Sequence, residues 1–167
     1  MPPLFYKRSD AMSTIIPRFA FRIAVEDDGE HFLEFPKFPE IISAISATEF
    51  SGMSAEEVCA YAHDAVICAL SARVSTREKV PEGDPDTTIC DGFVELDVEE
   101  AMKLVLCHVY QDNNFSTIKD FAKRIGKHET AARRLLNFRH KSRPDEIKAA
   151  MTQLGKRLHH EWHLDAA

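Results

Sequence analysis

Residues 117–137 read Thr117-Ile118-Lys119-Asp120-Phe121-Ala122-Lys123-Arg124-Ile125-Gly126-Lys127-His128-Glu129-Thr130-Ala131-Ala132-Arg133-Arg134-Leu135-Leu136-Asn137. Apolar residues recur at helical spacing on both sides of Gly126: Ile118, Phe121, Ala122 and Ile125 before it, Ala132, Leu135 and Leu136 after it. Two short amphipathic helices joined at a glycine are the sequence form of a helix-turn-helix, a motif that lays its second helix in the DNA major groove. Ala122 is the small residue at the helix crossing, Gly126 the turn, and Leu135 the lock on the second helix.

The second helix should present His128, Glu129, Thr130, Arg133 and Arg134 outward. An arginine can donate two hydrogen bonds to a guanine edge, and Thr130 can meet a thymine methyl or a phosphate. Lys119, Lys127, Arg139 and Lys141 are expected near the phosphate backbone, where they add affinity without reading sequence, and Thr117 is counted with them as a DNA-binding candidate.

The net charge of −6 over 167 residues would argue against nucleic acid if it were evenly spread, and it is not. Residues 1–97 hold 8 Lys/Arg against 18 Asp/Glu, a net of −10. Residues 98–167 hold 13 against 9, a net of +4, and within 117–157 the counts are 12 and 4, a net of +8. Such asymmetry predicts two units with different partners, the basic one suited to phosphate and the acidic one to a basic protein. No run approaches the ~20 apolar residues that span a bilayer, and the N-terminus lacks a signal pattern. No membrane association and a cytoplasmic location are expected. The four cysteines, Cys59, Cys68, Cys90 and Cys107, form no C-x-x-C pair and read as buried reduced thiols.

Upstream, residues 1–16 read as an irregular leader. Residues 18–26 alternate as a half-buried strand, with Phe19, Phe21, Ile23 and Val25 on one face. Asp27-Asp28-Gly29 supplies a hairpin turn, and 30–36 a return strand with Leu33 and Phe35 inward. Residues 41–47 fit a third strand. Ser54 and Glu57 make a capping box for a helix whose narrow face is Val58, Ala62, Ala65, Ala69 and Ala72. Residues 77–92 are a loop, and Phe93 to Leu96 a short strand. The N-terminal unit is therefore β-β-β-α-β, and the class α+β. From Val98 only helical periods occur. Val98–Gln111 should bury Met102, Val105, Leu106 and Val109. Ser116 should cap the next helix, and Pro144 should open a last one built on Ile147, Met151 and Leu154. The division is a leader at 1–16, an α+β unit at 17–97, a helix-turn-helix unit at 98–158 and a tail at 159–167.

The order of these parts is more specific than any one of them. Arg22-Ile-Ala-Val-Glu-Asp-Asp-Gly29, then Phe35-Pro-Lys-Phe-Pro39, then Met53-Ser-Ala-Glu-Glu57 before an alanine-rich helix, then a repressor-type motif ending Leu154-Gly-Lys-Arg-Leu158, resembles the HicB family of bacterial antitoxins over residues 18–158. That resemblance implies a partial RNase H-like α+β domain, a C-terminal DNA-binding domain, and a partner: a small basic mRNA-cleaving toxin, HicA-like, with a catalytic histidine. It implies that the chain neutralises this toxin and represses the shared operon through operator DNA. Complementary charge steers such an encounter, and Asp27, Asp28, Glu30, Glu34, Glu56 and Glu57 are the candidate contacts. Glu40 stands where the family usually has Gly after its Phe-Pro-x-x-Pro stretch.

No catalytic residue, metal or cofactor is assigned. A two-metal nuclease needs converging carboxylates, whereas Glu26, Asp27 and Asp28 sit at a hairpin turn and the strand interiors carry Phe, Ile and Val. His159 and His163 stand one helical turn apart in a His-rich tail, which reads as a frayed terminus. A homodimer or higher homo-oligomer is expected, since paired half-sites raise affinity for DNA, with Val98–Gln111 and the segment after Pro144 as candidate dimer surfaces. The alternative is a stand-alone helix-turn-helix repressor whose N-terminal domain senses a ligand or mediates assembly.

Overall fold

A computed structural model describes residues 16–85 and 87–156. Most of the leader and the His-rich tail lie outside the described residues. The elements run β1 (Arg18–Val25), β2 (His31–Glu34), β3 (Ala44–Ile45), α1 (Ala47–Gly52), α2 (Ala55–Thr76), β4 (Gly92–Glu95), α3 (Val98–Asp112), α4 (Ile118–Arg124), α5 (Glu129–Leu136) and α6 (Pro144–Gln153). The strands form one antiparallel sheet in the order β3-β2-β1-β4, and the class is the α+β expected.

β1 is longer than either neighbour. Its C-terminal half pairs with β2, Ile23 opposite Leu33, and its N-terminal half with β4, Phe19 opposite Val94. Proline at 36 ends β2 too early to cover the rest of β1. The loop after α2 takes that edge instead: Asp84 N–H donates to Arg18 O at 2.7 Å, and Ala20 N–H donates to the Asp84 carboxylate at 2.9 Å. Ala20 is therefore buried on the face that alternation assigns to solvent, while Val25, past the reach of the core at the hairpin end, is 61% exposed. The alternation reading was right for Phe19 and Phe21 and wrong for Val25.

The third strand, expected over 41–47, is only two residues long, and residue 47 already opens a helix that runs to Gly52. Ser46 accepts a hydrogen bond from Glu49 N–H at 3.3 Å and donates to the Glu49 carboxylate at 2.9 Å, so the chain turns helical as soon as Ile45 is buried. Phe50 of α1 then stacks on His31 of β2, ring centroids 4.0 Å apart. α2 begins at the expected Ser54/Glu57 capping box. Its buried stripe is broader than the alanine line, comprising Val58, Ala62, Val66, Ile67, Ala69 and Leu70, and Ala72 is exposed. Val66, Ile67 and Leu70 belong to the same buried cluster as Phe19, Leu33 and Phe38.

α3 buries Met102, Lys103, Leu104, Leu106, Cys107, Val109 and Tyr110, an arc too wide for one face. Val105 is 38% exposed, a correction to the single-stripe reading. The cause is position: α3 lies between the N-terminal unit and the last helices, and one cluster of buried side chains runs from Phe19 and Leu33 through Leu106 to Leu136 and Ile147. Thr117, rather than Ser116, caps α4, accepting from Asp120 N–H at 3.1 Å. Of the four thiols only Cys107 is buried. Burial pushes its pKa up to about 12, which leaves it an inert packing group.

Candidate functional site

The turn between α4 and α5 follows from one residue. Gly126 has φ +66°, its N–H donates to Lys123 O at 3.2 Å, and Lys127 N–H reaches back to Ala122 O at 2.9 Å. This is a Schellman ending, which needs a residue in the left-handed region. The bend brings Ala132, Leu135 and Leu136 of α5 onto Phe121, Ala122 and Ile125, and α5 is left with an apolar inner face and a charged outer one.

His128 stands at the N-cap of α5 without a side-chain cap. Glu129, Thr130, Arg133 and Arg134 are exposed along the helix, with Lys119, Arg139 and Lys141 exposed nearby and Lys127 half-buried at the turn. Arg133 is engaged within the helix, donating to the Glu129 carboxylate at 2.6 Å. Thr117 is committed to its own helix as well, its hydroxyl 2.7 Å from the Asp120 carboxylate. The geometry thus gathers the basic candidates around one short helix, with Thr130 and Arg134 as its outward side chains.

The acidic candidates fall into separate groups. Asp27, Asp28 and Glu30 share the β1–β2 turn, where Gly29 N–H donates to Glu26 O at 2.9 Å and Glu30 N–H donates to the Asp28 carboxylate at 3.0 Å. Glu34 lies opposite Arg22 in the sheet. Glu56 and Glu57 sit in the first turn of α2. All are exposed, but Glu57 is turned back onto Ser54, whose backbone N–H and hydroxyl donate to it at 2.7 and 2.9 Å and hold its pKa below the usual carboxylate value.

Three known proteins are similar over most of their length. An antitoxin HicB of Pseudomonas fluorescens (strain Pf0-1) is 29% identical over 133 residues, covering 80% of this chain and 86% of that protein. Antitoxin HicB of Escherichia coli (strain K12) is 26% identical, covering 84% and 96%. Antitoxin HicB 1 of Photorhabdus laumondii is 24% identical, covering 86% and 87%. The chain is thus similar to HicB antitoxins over most of its length. No family model matches it.

Glu40, singled out from the sequence, has a structural use. Arg73 of α2 grips the Glu40 carboxylate with two N–H groups, at 2.5 and 2.8 Å, and also donates to Lys37 O and Lys79 O at 3.0 and 3.2 Å. The Phe35–Pro39 loop and the start of the 77–91 loop are thereby tied to α2. The pairing lowers the Glu40 pKa and raises that of Arg73.

Two residues that matter to α5 were not found from the sequence. Lys103 of α3 is fully buried, and its ammonium donates to Asn137 O at 2.8 Å and to His140 O. Glu99, one turn earlier, sits 3.1 Å from that ammonium and accepts from Ser142 N–H at 2.7 Å. Together they fix the loop leaving α5. The available signal was the i, i+4 Glu99–Lys103 spacing, which on a helix more often marks a solvated pair. Among the described residues no helix is long and apolar enough to cross a membrane.

Proposed function

We propose that this chain is an antitoxin that binds and neutralises a small basic mRNA-cleaving toxin of the HicA kind, and that it represses its own operon by setting α5 in the major groove of operator DNA. It acts by binding rather than catalysis, as a homodimer or higher homo-oligomer. The toxin half of the reading is supported by the antitoxin relatives and by the −10 charge of residues 1–97, which suits a cationic partner. Asp27, Asp28, Glu30, Glu34 and Glu56 are the proposed contacts, and Glu57 contributes from within its cap.

The DNA half rests on one observation. The Gly126 turn presents α5 with its apolar face buried and Thr130 and Arg134 outward, among exposed Lys119, Arg139 and Lys141. Lys127, His128, Glu129 and Thr117 lie at the edges of that surface, and Arg133 reads a base only by exchanging Glu129 for it.

Arg134→Ala tests the division of labour. It should weaken operator binding by about five- to 150-fold, the worth of about 1–3 kcal/mol for an arginine–guanine pair, while co-expressed toxin stays neutralised. Operator titration and growth rescue are the two readouts. Simultaneous loss of both, in a variant that still folds, would mean that one surface serves both tasks.

A further inference from the structure

α2 ends in the same hydrogen-bond pattern as α4 and α6, with an arginine in the glycine's place. Glu78 N–H donates to Arg73 O at 2.8 Å, Arg77 N–H donates to Val74 O at 3.4 Å, and Arg77 has φ +62°. The corresponding positions after α4 and α6 are Gly126 and Gly155. A residue with a Cβ is disfavoured in this region, and side chains kept there against the backbone's preference gather at functional sites. Arg77 is not idle. Its guanidinium donates to Ser116 O at 3.0 Å, just before the cap of α4.

Arg77 also lines a cleft of about 540 Å3 between α2 and α5, together with Arg133 and Arg139. No Asp or Glu lines this cleft. Among the described residues neither Arg77 nor Arg139 is paired with a carboxylate, while Arg133 is held by Glu129. The α2 wall is low, made by Cys68, Ala72 and Ser75, all exposed, so a bulky backbone can approach. Guanidinium groups suit phosphate, because the planar fork of N–H donors matches its oxygens. Arg77 and Arg139 offer theirs free of any described carboxylate, and Arg133 joins them by exchanging Glu129 for the phosphate.

We propose that this cleft is a phosphate-binding site with Arg77, Arg133 and Arg139 as its cations, and that its occupant is a phosphodiester of the operator backbone running beside α5. The DNA-facing surface thereby extends onto the end of α2. The choice of occupant rests on the DNA reading above. It is favoured because two of the three arginines are on or just beyond the helix proposed to enter the groove.

The test uses the full chain with Arg77→Asn and Arg77→Lys. Asparagine tolerates the left-handed region better than other residues with a Cβ, so the helix end is kept while the charge is lost. Arg77→Asn should weaken binding several-fold, equally on operator and unrelated duplex, and should flatten the dependence of log K on log salt by about 0.9, one phosphate contact. Arg77→Lys should restore the slope, which a merely structural loss would not alter. If wild type binds operator and Arg77→Asn keeps the full slope, the DNA occupant is wrong. Inorganic phosphate then decides the cleft: shifts of the arginine side-chain NMR signals in wild type but not in Arg77→Asn assign it to a free phosphate, and silence overturns the site. If wild type ignores operator altogether, the DNA reading fails, and the phosphate titration alone judges the cleft.

Discussion

A single buried cation shows how the fold presents its proposed recognition helix. Lys103 replaces water with two backbone carbonyls and the Glu99 carboxylate. Removing one partner of such a set strands the rest without solvent. Lys103→Met keeps the length of the side chain but leaves the carbonyls of Asn137 and His140 unpaired. It should cost about 3 kcal/mol in urea unfolding. Glu99→Gln can still accept from Ser142 N–H and should cost only about 1–2 kcal/mol. The double variant should cost less than the two losses added, because the charges are missed only while one remains. Strict additivity would show that the two side chains stabilise the loop independently. A lysine in an apolar helix reads as its solvent side, which is why sequence alone gave Lys103 no role.

At the scale of elements, what was legible is what is local. The helix-turn-helix could be read because its bend is written in one residue, and the capping box at Ser54 and Glu57 because both partners lie within four positions. The same pattern at Ser46 and Glu49 was masked by the apolar run Ile41-Ile42-Ser43-Ala44-Ile45, which reads as strand. Faces were harder. Ala72, Val105 and Val25 were assigned inward by period alone, yet which side of a helix or strand is buried depends on neighbours far off in sequence. The proposed DNA surface was legible on α5 itself, whereas Arg77 lies some forty residues ahead of the motif and acquires meaning only when α2 and α5 are adjacent. Gly126 separates backbone demand from packing. A Cβ there would meet nothing within 4 Å, so Gly126→Ala tests the positive φ alone. It should lower stability by about 1–2 kcal/mol, and Gly126→Asn by less, since asparagine tolerates this region better. Equal losses for the two would place the cost somewhere other than the left-handed backbone.

Over the whole molecule, charge divides the chain while packing joins it. The acidic and basic units carry opposite net charge, yet their buried side chains form one cluster. Polar stitches cross the same seam. The Gln111 side chain donates to Glu78 O at 2.7 Å and accepts from Val80 N–H at 3.1 Å, and His63 lies 3.0 Å from the Glu100 carboxylate. A continuous core cannot lose one half without exposing the other, so the described chain should unfold as one cooperative unit. Calorimetry of the full chain should give a single peak with calorimetric and van't Hoff enthalpies equal once any dimer is accounted for. If the proposed two-fold assembly holds, Tm should also rise with protein concentration. Two resolved transitions would mean that the seam is only a contact between separate domains. Arg77 could then sit beside α5 only part of the time, and the cleft between α2 and α5 would lose its fixed geometry.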